Sequence, residues 1–239
     1  MKFLHLADSH VHARSSNDPL IERMEYVNTH YADYYKPITG DMTDDGSEDQ
    51  YGNAKEICRK SLIIPVPGNH DYGAIGSLYS KASAKMFDHF ASTFRPSSYF
   101  GKNPQVILLG NMVFICLNSC KKTTSPFDFA RGQIGWRQRW KLGKLLDQHK
   151  DLIRIVALHH HPFVHSDPGM ELEDAEQFLK VIYGKVDVLL FGHKHEQRQW
   201  QDKAGCKWVL AAGAVFKEQT AKAIIIEGSN IQIEEVRIL

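Results

Sequence analysis

Short apolar runs recur along the chain, and polar residues follow several of them directly. Their length of four to eight residues is typical of strands buried in a sheet. The runs that predict such strands are residues 3–7, 33–39, 62–66, 153–158 and 186–191. Pro37 fits its strand poorly, because proline cannot donate a hydrogen bond to a neighbouring strand.

Helical patterns occupy much of the sequence between these runs. Asp18-Pro19 predicts a helix start with proline in the first turn. Ser47, with Gln50 three residues later, forms a capping-box pattern that predicts a second helix. Further helices are predicted over residues 83–90, 133–149 and 173–183. The alternation of strands and helices predicts an α/β fold.

Two hairpins are predicted outside this alternation. Gly110-Asn111 is a favourable two-residue turn, and it separates the apolar segments 106–109 and 112–117. A second turn is predicted at residues 228–230, within a C-terminal stretch of short strands.

The composition is that of an ordinary soluble globular protein. Of the 239 residues, 43% are hydrophobic and 24% are charged, which is enough to form a core without disulfides. We therefore expect a single domain over residues 1–239. The net charge of +1 gives no sign of a generally basic protein that binds nucleic acid.

Cysteine usage and hydropathy favour a cytoplasmic location. The cysteines show no CxxC spacing, so they are predicted to be free thiols in a reducing compartment. They are Cys58, Cys116, Cys120 and Cys206. The apolar stretch near Met1 is too short for a secretory signal, and no later run approaches a membrane span, so no membrane partner is expected.

Five polar strings lie at the predicted strand ends, and together they contain seven candidate metal ligands. The strings are Asp8-Ser9-His10, Gly40-Asp41-Met42-Thr43-Asp44, Gly68-Asn69-His70-Asp71, His160-His161-Pro162 and Gly192-His193-Lys194-His195. Polar residues that follow the strands of an open α/β sheet meet at one edge of that sheet. A pair of divalent ions needs a bridging carboxylate with further oxygen and imidazole ligands, and Asp41 is the natural bridge.

In order and residue types, these strings resemble the calcineurin-like metallophosphoesterase family, over residues 3 to about 195. That family uses DxH, GDxxxD, GNH(D/E), an HxP-type histidine and GHxH. The resemblance implies a four-layer α/β/β/α sandwich of two mixed sheets. It also implies two divalent or trivalent metal ions, with Mn, Fe and Zn as candidates.

The resemblance assigns a role to each residue. One ion would take Asp8, His10, Asp41 and His195, and the other would take Asp41, Asn69, His160 and His193. We choose His160 because it lies two residues before the proline, and His159 is the alternative. A hydroxide that bridges the ions would be the nucleophile. His70 would stabilise the transition state or protonate the leaving oxygen, with Asp71 orienting its ring.

The implied function is metal-dependent hydrolysis of a phosphoester. The expected substrate is a small phosphodiester or phosphomonoester, such as a small molecule or a nucleotide. One alternative is a nuclease of the same family, which is disfavoured because the chain ends soon after the core. The other is a scaffold that keeps the fold without catalysis, and the complete set of ligands argues against it.

The segment from Arg131 to Lys144 contains five basic residues together with Trp136 and Trp140. Such a segment could stack on nucleic acid. The tryptophans are one helical turn apart, however, so we expect them to pack inward while the basic residues face water. On this interpretation the sequence gives no strong indication of nucleic-acid binding.

Substrate specificity is expected to reside in three loops, at residues 72–104, 119–132 and 163–172. Four residues in them could contact a substrate, although each could equally anchor its loop. They are Phe127, Phe129, His165 and Asp167.

Overall fold

The apolar runs form the central strands of two β-sheets in a computed structural model of the protein. The structure describes residues 1–14, 16–73, 79–94, 104–123, 130–163 and 169–239. Its strands are β1 (Lys2–His5), β2 (Tyr35–Thr39), β3 (Leu62–Val66), β4 (Gln105–Leu109), β5 (Met112–Cys116), β6 (Ile153–Ala157), β7 (Val188–Phe191), β8 (Arg198–Lys203), β9 (Cys206–Ala211), β10 (Thr220–Glu227) and β11 (Asn230–Arg237). Its α-helices are α1 (Asp18–His30), α2 (Glu48–Cys58), α3 (Lys81–Phe94), α4 (Trp136–Gln148) and α5 (Ala175–Ile182).

Both sheets mix parallel and antiparallel strands. The first has the order β11-β10-β1-β2-β3, in which β1, β2 and β3 are parallel. The second has the order β4-β5-β6-β7-β9-β8, in which β5, β6, β7 and β9 are parallel. The predicted hairpins are confirmed, with β4 and β5 joined by Gly110-Asn111 and β10 and β11 joined through residues 228–229.

The sheets pack face to face through an apolar layer to which both contribute. Phe3 of the first sheet stacks on Phe114 of the second, with ring centroids 5.9 Å apart. Helices α1, α2 and α3 cover the outer face of the first sheet, while α4 and α5 cover that of the second. This arrangement confirms the predicted α/β/β/α sandwich.

The second predicted strand forms despite its proline. Pro37 lies inside β2, where its carbonyl accepts a hydrogen bond from the Leu6 amide. The ladder between β1 and β2 is sparse, with the pair Phe3–Tyr35 and an isolated bridge between Leu6 and Ile38. Pairing with β3 is continuous and keeps the strand in place.

The predicted capping box at the start of α2 is wrong. Ser47 occupies the N-cap position, but its side chain makes no capping hydrogen bond. The side-chain oxygen of Gln50 instead accepts hydrogen bonds from the amides of Asp44 and Asp45. Gln50 therefore holds the loop before the helix rather than the first turn of the helix.

The prediction that Trp136 and Trp140 pack inward is also wrong. Their relative exposures are 67% and 57%. The buried residues of α4 are Gln138, Leu142 and Leu146. Residues two positions apart on a helix lie about 200° apart around its axis, so the tryptophans occupy the opposite face.

Among the described residues, no helix combines the length and apolar composition needed to cross a membrane.

Lys36 is completely buried in β2, a rare environment for a lysine. Its ammonium donates hydrogen bonds to the carbonyls of Tyr31 and Tyr34, at 2.7 and 2.9 Å. Burial lowers the pKa of Lys36 to about 8. Tyr31 directly follows α1, where backbone carbonyls lack partners within the helix and cations are favourable. Lys36 thus ties β2 to the end of α1.

Replacing Lys36 with methionine should lower the free energy of unfolding by about 1–3 kcal/mol, because the Tyr34 carbonyl loses its ammonium donor and the Tyr31 carbonyl keeps only the hydrogen bond from the Tyr34 amide. Methionine keeps most of the aliphatic stem, so loss of packing contributes little. Urea-induced unfolding of the variant and the parent protein measures the difference. Exposed Lys60 is the control, and Lys60→Met should change stability by less than about 0.5 kcal/mol. Equal stability of Lys36→Met and the parent would contradict the capping role.

Candidate metal centre

The loops that follow five strands bring the predicted ligand residues together. Two backbone hydrogen bonds join loops from different strands, from the Asp8 amide to the Gly40 carbonyl and from the Gly192 amide to the His159 carbonyl. Asp8 and His10 follow β1, Asp41 follows β2, Asn69 follows β3, His159 and His160 follow β6, and His193 and His195 follow β7.

Five of the predicted ligands have a left-handed backbone. Non-glycine residues seldom adopt a positive φ, and each such residue costs on the order of 1–3 kcal/mol unless its surroundings hold it. The residues are Asp8 (φ 53°), His10 (44°), Asp41 (50°), His193 (77°) and His195 (51°). The strain is concentrated at the positions that the sequence motifs single out.

Two glycines allow the loops to approach closely. A Cβ atom on Gly68 would lie 2.1 Å from a carboxylate oxygen of Asp41. A Cβ atom on Gly40 would lie 2.1 Å from Nδ1 of His159, and the φ of Gly40 is +92°. Any side chain at these positions would displace a candidate ligand.

The first group of candidate ligands consists of Asp8, His10 and His195 beside Asp41. The Nε2 atoms of His10 and His195 lie 3.2 Å apart. Nε2 of His10 is 3.8 Å from a carboxylate oxygen of Asp41, and Nε2 of His195 is 3.6 Å from one of Asp8. Four side chains from three loops therefore point at a common centre.

The second group lies on the other side of Asp41 and consists of Asp41, Asn69, His159 and His193. Nε2 of His159 lies 3.0 Å from Oδ1 of Asn69, 3.0 Å from Nδ1 of His193 and 3.3 Å from a carboxylate oxygen of Asp41. Nδ1 of His159 is 2.9 Å from the Thr39 carbonyl. Because a carbonyl can only accept, this nitrogen carries a proton, and Nε2 is the nitrogen that faces the other members of the group.

The structure favours His159 over His160 as the ligand from the histidine triplet. His159 is the residue that contacts Asp41 and Asn69. The ring of His160 is held instead by Ser119, whose Oγ lies 2.8 Å from Nδ1. Nε2 of His160 is buried without a hydrogen-bond partner and lies near the second group. The contacts with Asp41 and Asn69 make His159, the alternative from the sequence, the stronger candidate, while His160 stays within reach of the second group.

His70 lies beside the first group. Its ring centroid is 4.7 Å from that of His10, and its backbone amide donates to the carboxylate of Asp41 at 3.0 Å. Nδ1 of His70 is 2.6 Å from the Asp44 carbonyl, so this nitrogen carries a proton and the ring is fixed. Nε2 is the nitrogen left to meet a substrate.

The prediction that Asp71 orients the ring of His70 is wrong. The Asp71 carboxylate accepts hydrogen bonds from the backbone amides of Met42, Thr43 and Gly68, at 2.9 to 3.2 Å. It is completely buried, and the ring of His70 is held by a backbone carbonyl instead. Asp71 therefore braces the loops that follow β2 and β3.

The pKa values of the two central carboxylates, Asp8 and Asp41, are shifted in opposite directions. Burial raises the pKa of Asp8 well above its usual range. Burial also disfavours the charged form of Asp41, but the positive charge and hydrogen bond of His159 outweigh it, with help from His70 and His10. The pKa of Asp41 is consequently held well below its usual range.

Most of the imidazoles are neutral at pH 7 and so have a lone pair for a metal. Burial lowers the pKa of His10 to about 4, and it also lowers the pKa values of His193 and His195. His159 is the exception. Burial alone would lower the pKa of His159, but the negative charges of Asp41 and then Asp8 have the larger effect and raise it to about 9. A metal at this position would displace that proton.

The donor atoms fit metal ions. Two ligand atoms bound to one ion at about 2.1 Å, at right angles, lie about 3 Å apart. Six neighbouring pairs of candidate ligand atoms in the two groups are separated by 3.0 to 3.8 Å, and the ligand atoms of the Asp8, His10 and His195 group all lie within 4.8 Å of one another. Mixed carboxylate, amide and imidazole donors suit several first-row transition metals. The two groups, which share Asp41, could each hold an ion.

Sequence reasoning missed two residues around the centre and left the roles of several others open. Thr39 and Ser119 each fix a histidine ring, and neither belongs to a recognisable motif. Carboxylate oxygens of Asp44 lie 3.6 Å from Nδ1 of His10 and 3.5 Å from Nδ1 of His12, so Asp44 lies behind the first group. Phe127, Phe129, His165 and Asp167, which could contact a substrate, lie outside the described residues.

Two curated relatives are similar to this chain in sequence. A 3′,5′-cyclic-nucleotide phosphodiesterase of Nostoc sp. is 27% identical over 167 residues, which are 67% of this chain and 55% of the relative. A protein of Vesicomyosocius okutanii, whose name also describes a cyclic nucleotide phosphodiesterase, is 24% identical over 172 residues. That alignment covers 69% of this chain and 63% of the relative, so the chain spans less than two thirds of either one.

A solved structure and a family model match the chain more fully. The crystal structure of a dimetal phosphatase from Danio rerio has a TM-score of 0.64 and 14% identity, and the match covers 100% of this chain and 96% of that one. Identity this low shows a shared fold only. The family model described as calcineurin-like phosphoesterase matches residues 1–197, which include all five motifs. The chain belongs to the calcineurin-like phosphoesterase family.

Proposed function

We propose that this chain hydrolyses a phosphodiester with two metal ions that share Asp41. The observation that carries the proposal is the position of Asp41, with donor groups converging on both sides of its carboxylate. One ion would be held by Asp8, His10, Asp41 and His195, and the other by Asp41, Asn69, His159 and His193. We propose Mn, Fe or Zn as the metals, because all three accept mixed oxygen and imidazole ligands.

The ions, when bound, supply an activated water and offset the negative charge of the phosphoryl group. The residues of the chain provide position and proton transfer. Asp71 fixes the loops that carry Asp41 and Asn69, through its hydrogen bonds to backbone amides. His70 presents Nε2, because its Nδ1 proton is held by the Asp44 carbonyl. When Nε2 is also protonated, it can donate to the leaving oxygen.

A 3′,5′-cyclic nucleotide is the substrate class that we propose first. Both relatives are named for cyclic nucleotide phosphodiesterase activity, although this chain matches only part of each. Such a substrate carries one negative charge, spread over two oxygens, for which a pair of cations is the natural partner. Its leaving group is an alkoxide, which needs a proton donor such as His70.

The protein should hydrolyse bis(p-nitrophenyl) phosphate and 3′,5′-cyclic AMP when Mn²⁺ is supplied, and chelation should abolish turnover of both.

Asp41→Ala should lose both ions and all measurable activity, because its carboxylate is shared. His195→Ala should mainly weaken one ion. Elemental analysis after gel filtration measures stoichiometry, and product release measures turnover. Full activity in excess chelator would refute the proposal, and two ions retained in Asp41→Ala would refute the bridge.

His159→Gln should reduce the bound metal from two ions towards one and lower turnover by roughly 100-fold or more, because an imidazole ligand is lost. His160→Gln should keep both ions, since His159 is the histidine that contacts Asp41 and Asn69. The two substitutions are matched in volume and neighbouring in sequence, and thermal unfolding checks that each variant is folded. Loss of metal only in His160→Gln would restore the assignment made from the sequence.

His70→Ala should keep both ions while kcat falls by roughly 100-fold or more, the usual effect of losing a proton donor. The decrease should be larger for cyclic AMP than for bis(p-nitrophenyl) phosphate, because p-nitrophenolate departs without protonation. His12→Ala is the control, since His12 contacts Asp44 outside the ligand groups and should change little. Equal decreases for the two substrates would indicate charge stabilisation instead of proton donation. Loss of an ion would make His70 a ligand.

A further inference from the structure

We propose that helix α4 presents a surface that binds single-stranded nucleic acid. The surface, called here the Trp–Lys stripe, consists of residues on the solvent side of the first two and a half turns. They are Trp136, Arg137, Trp140, Lys141 and Lys144.

The stripe alternates aromatic rings with cations. The guanidinium of Arg137 lies 5.3 Å from the ring centre of Trp136, and the ammonium of Lys144 lies 4.1 Å from that of Trp140. The two rings are four residues apart, which is about 6 Å along a helix. Bases of an unpaired strand stack on exposed aromatic rings, and the phosphates between them need nearby cations. The stripe supplies both groups in alternation.

The charge of the helix complements a phosphate backbone. Four of its residues are basic, and its only acidic residue is Asp147, whose carboxylate is 2.7 Å from the Lys185 ammonium. Within the part of the chain that the structure describes, neither Arg137 nor Lys144 forms an ion pair. Their charges are therefore available to an external anion, despite the overall net charge of only +1.

The stripe begins at the edge of the molecule that carries the metal centre. A cavity of about 420 Å³ lies beside its first turn and is lined by Asn118, Trp136, Arg137 and Lys141, among others. The Asn118 side chain donates to the hydroxyl of Tyr72, at 2.9 Å. Tyr72 ends the short 3-10 helix that starts at His70. A single strand of nucleic acid bound along α4 could therefore continue through this cavity towards the metal centre.

A membrane surface is the other partner that tryptophan and lysine could suit, and the arrangement of α4 disfavours it. A helix that lies in a membrane interface needs a broad apolar face. The leucines of α4 are directed to the protein core, with Leu142 and Leu146 fully buried and Leu145 packed against the same cluster. The exposed face has two rings separated by cations, which suits separate bases better than lipid chains.

Binding to the stripe does not depend on the metal centre, so it can be measured in chelator, where hydrolysis cannot occur. The probe is a fluorescently labelled oligothymidylate of about 12 nucleotides, and the readout is anisotropy over a series of salt concentrations. Trp140→Ala should weaken binding about tenfold, from the loss of one stacked base. Lys144→Ala should lower the slope of log affinity against log salt by about 0.7, the value for one contact to a single strand.

Two exposed residues elsewhere provide matched controls. Tyr183 is 70% exposed at the end of α5, and Lys60 follows α2 on the other side of the sandwich. Tyr183→Ala and Lys60→Ala should bind like the parent, and all four variants should hydrolyse bis(p-nitrophenyl) phosphate normally. Parental affinity in both Trp140→Ala and Lys144→Ala would overturn the proposal. So would Trp140-dependent binding to phosphatidylserine vesicles without binding to the oligonucleotide. If the parent protein bound the oligonucleotide but did not hydrolyse bis(p-nitrophenyl) phosphate with metal supplied, that result would count against the proposed catalytic function alone.

Discussion

The site depends on how closely the strand-end loops approach one another around Asp41. Gly68 lies so near the Asp41 carboxylate that the loops after β2 and β3 have no space between them for a side chain. Asp71 holds this contact by accepting hydrogen bonds from amides of both loops. A buried carboxylate without donors would be costly, so these hydrogen bonds stabilise the fold and fix the site together. The left-handed backbone of Asp41 is held by the same contacts.

The buried charges follow from this crowding. Asp8, Asp41 and His159 are all fully or almost fully inaccessible to water, and their side chains are close enough to share one cation. Nε2 of His159 lies 3.3 Å from a carboxylate oxygen of Asp41, and the positive charge of this ring lowers the pKa of Asp41, whereas burial raises the pKa of Asp8. A proton on His159 and a metal ion would occupy the same side of Asp41. The cluster is therefore built around positive charge at this point, whichever cation supplies it.

Sequence patterns predicted the elements well because burial controls them. The strand at 62–66 has the predicted bounds, and the strand at 153–158 differs from β6 by one residue. The choice between His159 and His160 could not be made in this way, since in the other loops the first candidate ligand follows its strand by two or three residues. It depends on Thr39 and Ser119, which are far away in the sequence. The role of Asp71 also depends on tertiary contacts. Its position next to His70 in the sequence does not reveal that its carboxylate accepts hydrogen bonds from backbone amides of two loops.

The orientation of α4 depends on a polar contact of Gln138 as well as on the buried leucines Leu142 and Leu146. Spacing alone permits either the tryptophans or the Gln138 face to point inward. Gln138 exchanges two hydrogen bonds with the backbone of Asn118, just after β5, and another with the Ile134 carbonyl. These bonds satisfy backbone groups that would otherwise be unpaired in the interior. They fix the start of α4 beside the edge that carries the metal centre, and they direct Trp136 and Trp140 to solvent. The exposed stripe and its position near the site thus have one structural cause.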